Sequence, residues 1–333
     1  MTTAARPHRT RPAPAPRPVV IDTDPGIDDA LALMLALRSP ELRVELLTTV
    51  AGNVPVPRAT ANVRRILGLL APAVWPAVAQ GLGRPLRRPL HTATAFHHND
   101  GLGGVTHLRH PDGSPRYPVP EQPAVHRYAV QRLLQVVQHY GPDLTVIALG
   151  PLTNIAHAIR CAPATMQQLG RLVIMGGAIS VPGNVSPVAE FNIFVDPHAA
   201  DVVFRASLPI TLVPLDVTTQ VRLTRDLLGH ACANSATRLL SAIHALTQQP
   251  LHSRGEGIAL HDPLAVAVAI DPSLVTCTVL PVCTETRGLH TIGMTVADRR
   301  PSAYWQSDMP RLEVALEVDI PRVLKLFATR VLT

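Results

Sequence analysis

The chain is predicted to be an α/β protein built on a mainly parallel open sheet with helices on both faces, and three observations predict it. Short Val/Ile/Leu-rich runs alternate with longer segments of helical periodicity along most of the 333 residues. The short runs are apolar throughout rather than alternating, as strands buried on both faces require. Polar clusters follow directly after several of them, at the carboxyl ends of strands, where such sheets place their chemistry. Strand–helix alternation of this kind implies right-handed βαβ crossovers.

Residues 1–17 are Pro-rich, carry Arg6, Arg9, Arg11 and Arg17, and contain no acid. They are expected to form a disordered arm ahead of a single domain over 18–333. The first strand is expected over 19–22, after which Pro25-Gly26 forces a turn into a helix over 28–37. Strands over 44–50 and 74–79 then flank a helix over 57–70. The loop over 81–117, rich in Gly, Pro, His and Arg, is long enough to point to a functional or disordered segment. Beyond it the pattern predicts a helix over 123–140, a strand over 144–149 and a helix over 152–160. A strand over 172–175, a helix over 197–206 and a strand over 210–215 follow. From 218 to 257 the pattern is helical and polar with no clear strand, so these helices are expected to project above the sheet as a lid-like segment. Strands over 277–285, 292–296 and 312–318 and a last helix from about Pro321 complete the chain.

A hydrophobic content of 47% with 16% charged residues describes a well-buried globular enzyme. The pI near 9.7 looks like the mark of a polyanion-binding protein. Four of the six net positive charges, however, belong to the arm, which leaves the body nearly neutral and argues against a nucleic-acid partner. Lys325 is the only lysine, which removes P-loop, Schiff-base and pyridoxal-phosphate chemistry. Cys161, Cys232, Cys277 and Cys283 lack Cys-x-x-Cys spacing and read as reduced, packed thiols in a reducing compartment. No secretory h-region or membrane-length apolar run occurs, so a cytoplasmic protein with no membrane partner is expected.

The richest motif is Asp22-Thr23-Asp24-Pro25-Gly26-Ile27-Asp28-Asp29, four carboxylates in eight positions between a strand and a helix. Anions this close repel one another, and a helix N-terminus offers only about half a charge. Oxygen-only donors in such number suit a hard divalent cation, Ca²⁺ or Mg²⁺. Further polar clusters are Ala51-Gly52-Asn53, Leu149-Gly150-Pro151-Leu152-Thr153-Asn154, Met175-Gly176-Gly177, Gly183-Asn184 through Glu190-Phe191-Asn192, and Leu260-His261-Asp262-Pro263, the last opening a helix. Each cluster alone is equally compatible with caps, turns and core packing. Together they converge on one rim of one sheet.

In this company the motifs resemble those of the inosine–uridine preferring nucleoside hydrolases, which cleave the N-glycosidic bond of ribonucleosides on a Rossmann-like sheet. His97-His98-Asn99-Asp100-Gly101-Leu102-Gly103 adds to the match, which runs from about residue 18 to the C-terminus. The resemblance implies one Ca²⁺ held by Asp24, Asp29, Asp262 and the main-chain carbonyl of Leu149. It also implies Asp24 as general base, Asp28 as acceptor for the ribose 2′-hydroxyl, and Asn53, Asn184, Glu190 and Asn192 as sugar-binding residues. Met175 corresponds to the apolar floor, His261 to the proton donor for the leaving base, and His97 to a second pocket histidine. A homodimer or homotetramer is the assembly the resemblance suggests.

The chain departs from the pattern twice: His98 replaces a usual glycine, and no Tyr, Phe or Trp lies between Thr218 and Gly257. Base preference is expected to depend on that segment and on the 81–117 loop, with His252 or Gln248 as substitutes for the missing aromatic. Two other readings stand beside this one. A Mg²⁺-dependent Asp-x-Asp phosphatase would use Asp22 as nucleophile, and a non-catalytic relative would bind a nucleoside without turning it over.

Overall fold

Val19, Val20 and Ile21 are fully buried because their strand, β1 (Arg17–Thr23), lies inside the sheet with a neighbour on each side. The computed structural model describes residues 15–235, 237–253, 257–300 and 308–333, so most of the expected arm lies outside the described residues. Arg17, counted with that arm, instead opens β1 and donates through Nη2 to the Ile270 carbonyl at 2.5 Å.

After β1 come α1 (Ile27–Leu37), β2 (Leu42–Thr49), α2 (Val56–Leu70) and β3 (Ala77–Gln80). The long loop contains α3 (Thr94–His97) and leads to β4 (Val125–His126) and α4 (Ala129–Tyr140). Next are β5 (Thr145–Ala148), α5 (Thr153–Cys161), α6 (Pro163–Met166) and β6 (Arg171–Met175). Then follow α7 (Phe191–Val195), α8 (Pro197–Phe204), β7 (Ile210–Val213), α9 (Leu215–Thr218) and β8 (Arg222–Leu223). The chain continues through α10 (Arg225–Asn234), α11 (Arg238–Ser253), β9 (Ile258–Ala259) and α12 (His261–Ile270). It closes with β10 (Val275–Thr284), β11 (Thr295–Ala297), β12 (Arg311–Val318) and α13 (Ile320–Val331).

The large sheet has ten strands in the order β11-β10-β12-β7-β6-β5-β1-β2-β3-β4. Every pairing from β12 to β4 is parallel, and only β10 runs against its neighbours. The chain lays down β1 to β4 on one side, then returns to place β5 against the other side of β1. That reversal makes the carboxyl ends of β1 and β5 the switch point at which a crevice opens. Two apolar layers cover the faces. Val19 and Ile21 pack with α1, α12 and α13, whereas Val20 packs with α4, α5 and α8.

Helices α1 and α12 are buried nearly all round, which their small, apolar surfaces allow: Ala30, Ala32 and Ala36 on one, Ala265, Ala267 and Ala269 on the other. They pack against each other. Among the described residues, no helix is long and apolar enough to cross a membrane.

Several boundaries differ from expectation. The strand expected over 74–79 starts at Ala77, because Val74 is exposed and Pro76 has no N–H to give the ladder. The helix expected from 123 starts at Ala129, since Val125–His126 adds a parallel edge strand to β3. The 218–257 segment contains a strand after all, β8, paired antiparallel with β9. Its helix α11 buries Leu240, Ile243 and Leu246 in the core against α1 and α2. The strand expected over 292–296 begins at Thr295, after Gly293 takes φ 82°. All four cysteines are free thiols, but Cys161 and Cys277 are exposed, not packed.

Candidate active site

The polar clusters meet at the carboxyl ends of β1, β2, β5 and β6, around a cavity of about 380 Å³. Its wall includes Asp28, Asn53, His97, Met175, Asn184, Glu190, Asn192, His261 and Asp262. Asp24, Asp29 and Leu149 lie beneath it, almost fully buried. The structure therefore brings all twelve sequence-predicted residues to one place.

Two helix N-termini explain how the acids are assembled. Helix α1 begins at the Pro25-Gly26 turn and carries Asp28 and Asp29; α12 begins with His261 and Asp262. Because α1 and α12 pack together, their positive ends point into the same cluster. Asp29 caps its own helix, accepting from the Gly26 N–H at 2.9 Å. It also accepts from Thr23 Oγ1 (2.5 Å) and Asn53 Nδ2 (3.1 Å). Asp24 accepts from the Asn53 backbone N–H at 2.5 Å. Gly52 and Gly150 press against the Asp24 carboxylate so closely that a Cβ on either would overlap it.

Ligating oxygens of Asp28, Asp29 and Asp262 all lie within 4.8 Å of one another. Asp24 adds a further charge that acts on Asp262. Burial pushes all four carboxyls upward, and mutual repulsion adds to it for Asp24, Asp28 and Asp262. Asp28 rises to about 7. Among the described residues, Asp24 Oδ1 and Asp28 Oδ1 are buried with no hydrogen-bond partner, and the cavity wall includes no arginine or lysine. A crowded set of carboxylate oxygens, partly orphaned and without a cationic side chain, fits a hard divalent cation. The Leu149 carbonyl accepts from Asn192 Nδ2 at 2.7 Å and retains a second lone pair.

Asp22 is a different case. It is fully buried, accepts from Thr48 Oγ1 and Asn154 Nδ2, and does not line the cavity. Burial raises its pKa to about 7. A phosphorylated nucleophile needs access to substrate, so the Asp-x-Asp phosphatase reading is corrected: Asp22 is a supporting residue of the floor.

These raised values set a pH dependence. A carboxyl whose folded pKa lies above its unfolded value holds its proton more tightly when folded. Stability is therefore fully present below the ordinary carboxyl range near 4 and declines as pH climbs towards about 7, the values of Asp22 and Asp28. Chelator-treated protein is expected to melt lower at pH 8 than at pH 5, by about 2 °C or more. Adding a divalent cation should remove most of that difference in a thermal melt. Equal Tm values in the chelated protein would contradict the strained cluster.

The remaining wall is built from loops. Glu190 caps α7, accepting from the N–H groups of Asn192 (2.9 Å) and Ile193 (3.2 Å), and it also takes the Gly177 N–H (3.0 Å). Asn192 Nδ2 bridges the Leu149 and Met175 carbonyls, joining the ends of β5 and β6. Asn184 lines the cavity, but its Oδ1 accepts from the Phe191 N–H at 2.9 Å, so it also serves as a turn anchor. His97 Nδ1 accepts from the Ile27 N–H at 3.0 Å, which places the ring proton of the neutral imidazole on Nε2. His261 Nδ1 lies 2.7 Å from Thr218 Oγ1.

Sequence reasoning missed Thr92, Ala93, Ala95, Phe96, Val185 and Phe191, which also line the cavity. Phe96 and Phe191 each adjoin a motif residue, a signal that was present but unused. The 81–117 loop is held in place by buried acids. Asp100 accepts from the N–H groups of Leu102, Gly104 and Thr106 and from Thr106 Oγ1. Burial alone would raise its pKa, yet these donors leave it below the ordinary value. Asp196 accepts from the Leu86 N–H, and the Arg88 guanidinium lies 4.5 Å over the Phe194 ring. His98, where the resemblance expects glycine, takes φ 63°. None of the described 218–257 residues lines the cavity: His252 is exposed, and Gln248 borders a different hollow.

Comparison with known proteins agrees with this architecture. The family model described as "Inosine-uridine preferring nucleoside hydrolase" matches residues 19–325. The chain is 37% identical over 310 residues to the non-specific ribonucleoside hydrolase RihC of Klebsiella pneumoniae, covering 91% of this chain and 94% of that protein. It is 35% identical to the inosine-uridine preferring nucleoside hydrolase of Leishmania major, covering 92% and 95% of the two. A solved plant nucleoside hydrolase superposes with a TM-score of 0.84 at 35% identity, covering 96% of this chain and 99% of that one.

Proposed function

The chain belongs to the inosine-uridine preferring nucleoside hydrolase family, and from that premise we propose how this ribonucleoside hydrolase works: one Ca²⁺ in the acidic cluster, Asp24 as base and His261 as acid. The observation that carries this reading is the set of buried, partly orphaned carboxylates beneath a cavity whose described wall residues include no arginine or lysine. Asp24, Asp29, Asp262 and the Leu149 carbonyl would hold the ion, with Asp28 at its edge. When bound, Ca²⁺ would neutralise the cluster, offer coordination to the ribose hydroxyls and make a water easier to deprotonate.

The residues of the chain supply the rest. Asn53 donates to Asp24 and Asp29 and so holds both carboxylates in register. Asp24 accepts the proton of the attacking water as its oxygen bonds to the anomeric carbon. The N-glycosidic bond breaks through an oxocarbenium-like transition state, whose positive charge the carboxylate-rich floor stabilises. Asp28 accepts from the 2′-hydroxyl, and Asn184, Glu190 and Asn192 position the rest of the sugar over Met175. His261 gives a proton to the departing base, which leaves neutral. The apolar wall of Ala93, Phe96, Val185 and Phe191 suits a flat heterocycle. Base preference then rests on the 81–117 loop and the turn around Val185. A cytoplasmic homodimer or homotetramer is the setting we propose.

The test is release of ribose from a panel of purine and pyrimidine ribonucleosides, before and after chelation. Activity is expected to fall at least about 100-fold on chelation and to return with Ca²⁺. Undiminished turnover in thoroughly chelated enzyme would overturn the metal assignment. Failure to release ribose from any nucleoside would overturn turnover itself and favour the non-catalytic reading.

A further inference from the structure

Two histidines face the cavity, and they are held in different ways. His97 is fixed by a backbone N–H, that of Ile27. His261 is held at Nδ1 by a side chain, the hydroxyl of Thr218, 2.7 Å away. Thr218 is fully buried at the last residue of α9. Its backbone is set by its own N–H donating to the Pro214 carbonyl, and its neighbour Thr219 bonds back to Leu215. The backbone on the other side of the contact is fixed as well. The Leu260 N–H donates to the Val221 carbonyl at 2.8 Å, and β8 pairs with β9 immediately before His261. Main chain thus sets where His261 begins, and the Thr218 hydroxyl meets its ring at Nδ1.

We infer that Thr218 is the positioning residue for His261: it draws Nδ1 inward and thereby presents the Nε2 edge of the imidazole to the leaving base. This rests on the reading of His261 as proton donor. A hydroxyl suits the task because it carries one donor and two acceptor sites and pairs with either ring nitrogen tautomer without adding a charge. A proton donor must lie within hydrogen-bond reach of its acceptor in the reacting complex, and loss of the Nδ1 contact would loosen that placement.

The experiment compares Thr218→Val, which keeps the side-chain shape and removes the hydroxyl, with Thr218→Ser, which keeps the hydroxyl. Each is assayed on inosine and on p-nitrophenyl riboside, whose leaving group departs without a proton, alongside His261→Ala. Thr218→Val is expected to lower kcat on inosine about 10- to 100-fold, with KM little changed and p-nitrophenyl riboside turnover little affected. Thr218→Ser should recover most of the inosine rate. A Thr218→Val enzyme with full inosine kcat, or one that loses both substrates equally, overturns the positioning role when His261→Ala is itself leaving-group selective. If His261→Ala is not selective, the reading of His261 fails first and Thr218 falls with it.

Discussion

Replacing Asp24 by alanine is expected to lower kcat on every ribonucleoside by about 10³-fold or more while leaving the protein folded. General-base loss accounts for roughly 10²- to 10⁴-fold in such sites, and on the proposed reading Asp24 also helps to hold the cation. The fold should survive because the side chain repels its neighbours more than it binds them. Its pKa is driven upward by burial and by Asp29 and Asp28, and Oδ1 has no partner among the described residues. Among those residues, the hydrogen bond lost is the one from the Asn53 N–H, along with the packing of Gly52 and Gly150 on the carboxylate. The variant should therefore melt within a few degrees of the parent, and in chelator it should melt no lower. Asp24→Asn keeps the shape and provides the stricter comparison, since it removes charge and basicity alone. Near-parental kcat in either variant would refute the assignment; collapse of the fold in both would instead assign Asp24 a structural role.

His261→Ala carries the second large effect, and its diagnostic value lies in selectivity. A purine or pyrimidine leaves as a poor anion, so withholding its proton should slow inosine about 10²- to 10⁴-fold. A p-nitrophenolate needs no proton and should leave at nearly the parental rate. The geometry favours His261 over His97 for this duty. His97 Nδ1 is committed to a main-chain donor that cannot reverse its polarity, whereas the Thr218 hydroxyl beside His261 can donate or accept. Equal losses on both substrates would reduce His261 to a binding or folding role. The same pair of substrates applied to His97→Ala should give a smaller and less selective loss.

Much of this site was legible in the chain because its signals are local. Four carboxylates around a Pro-Gly turn imply a cation wherever the turn ends up, and a strand apolar on both faces implies a covered sheet. The alternation of runs and periodic segments likewise predicted most strands and helices within a few residues. Edge and pairing features were not legible: Val125–His126 reads as helical on periodicity, yet a free sheet edge gave it a ladder partner. Arg222–Leu223 became a strand only because Ile258–Ala259 came alongside. The anchoring roles of Asp100 and Asp196 likewise emerge only once folding surrounds each with backbone donors.

By itself, the order of residues determined the α/β class, the acidic turn and the polar clusters that the fold gathers around one cavity. Only the tertiary structure decided that α1 and α12 would aim their N-termini into one cluster. It also decided that the 81–117 loop, and not the described part of the 218–257 segment, would wall the cavity, and that Thr218 would reach His261. The physical reason is range. Periodicity, turns and caps are governed by neighbours a few positions apart, whereas these contacts follow from the strand order around β1 and from the close packing of two helices far apart in sequence.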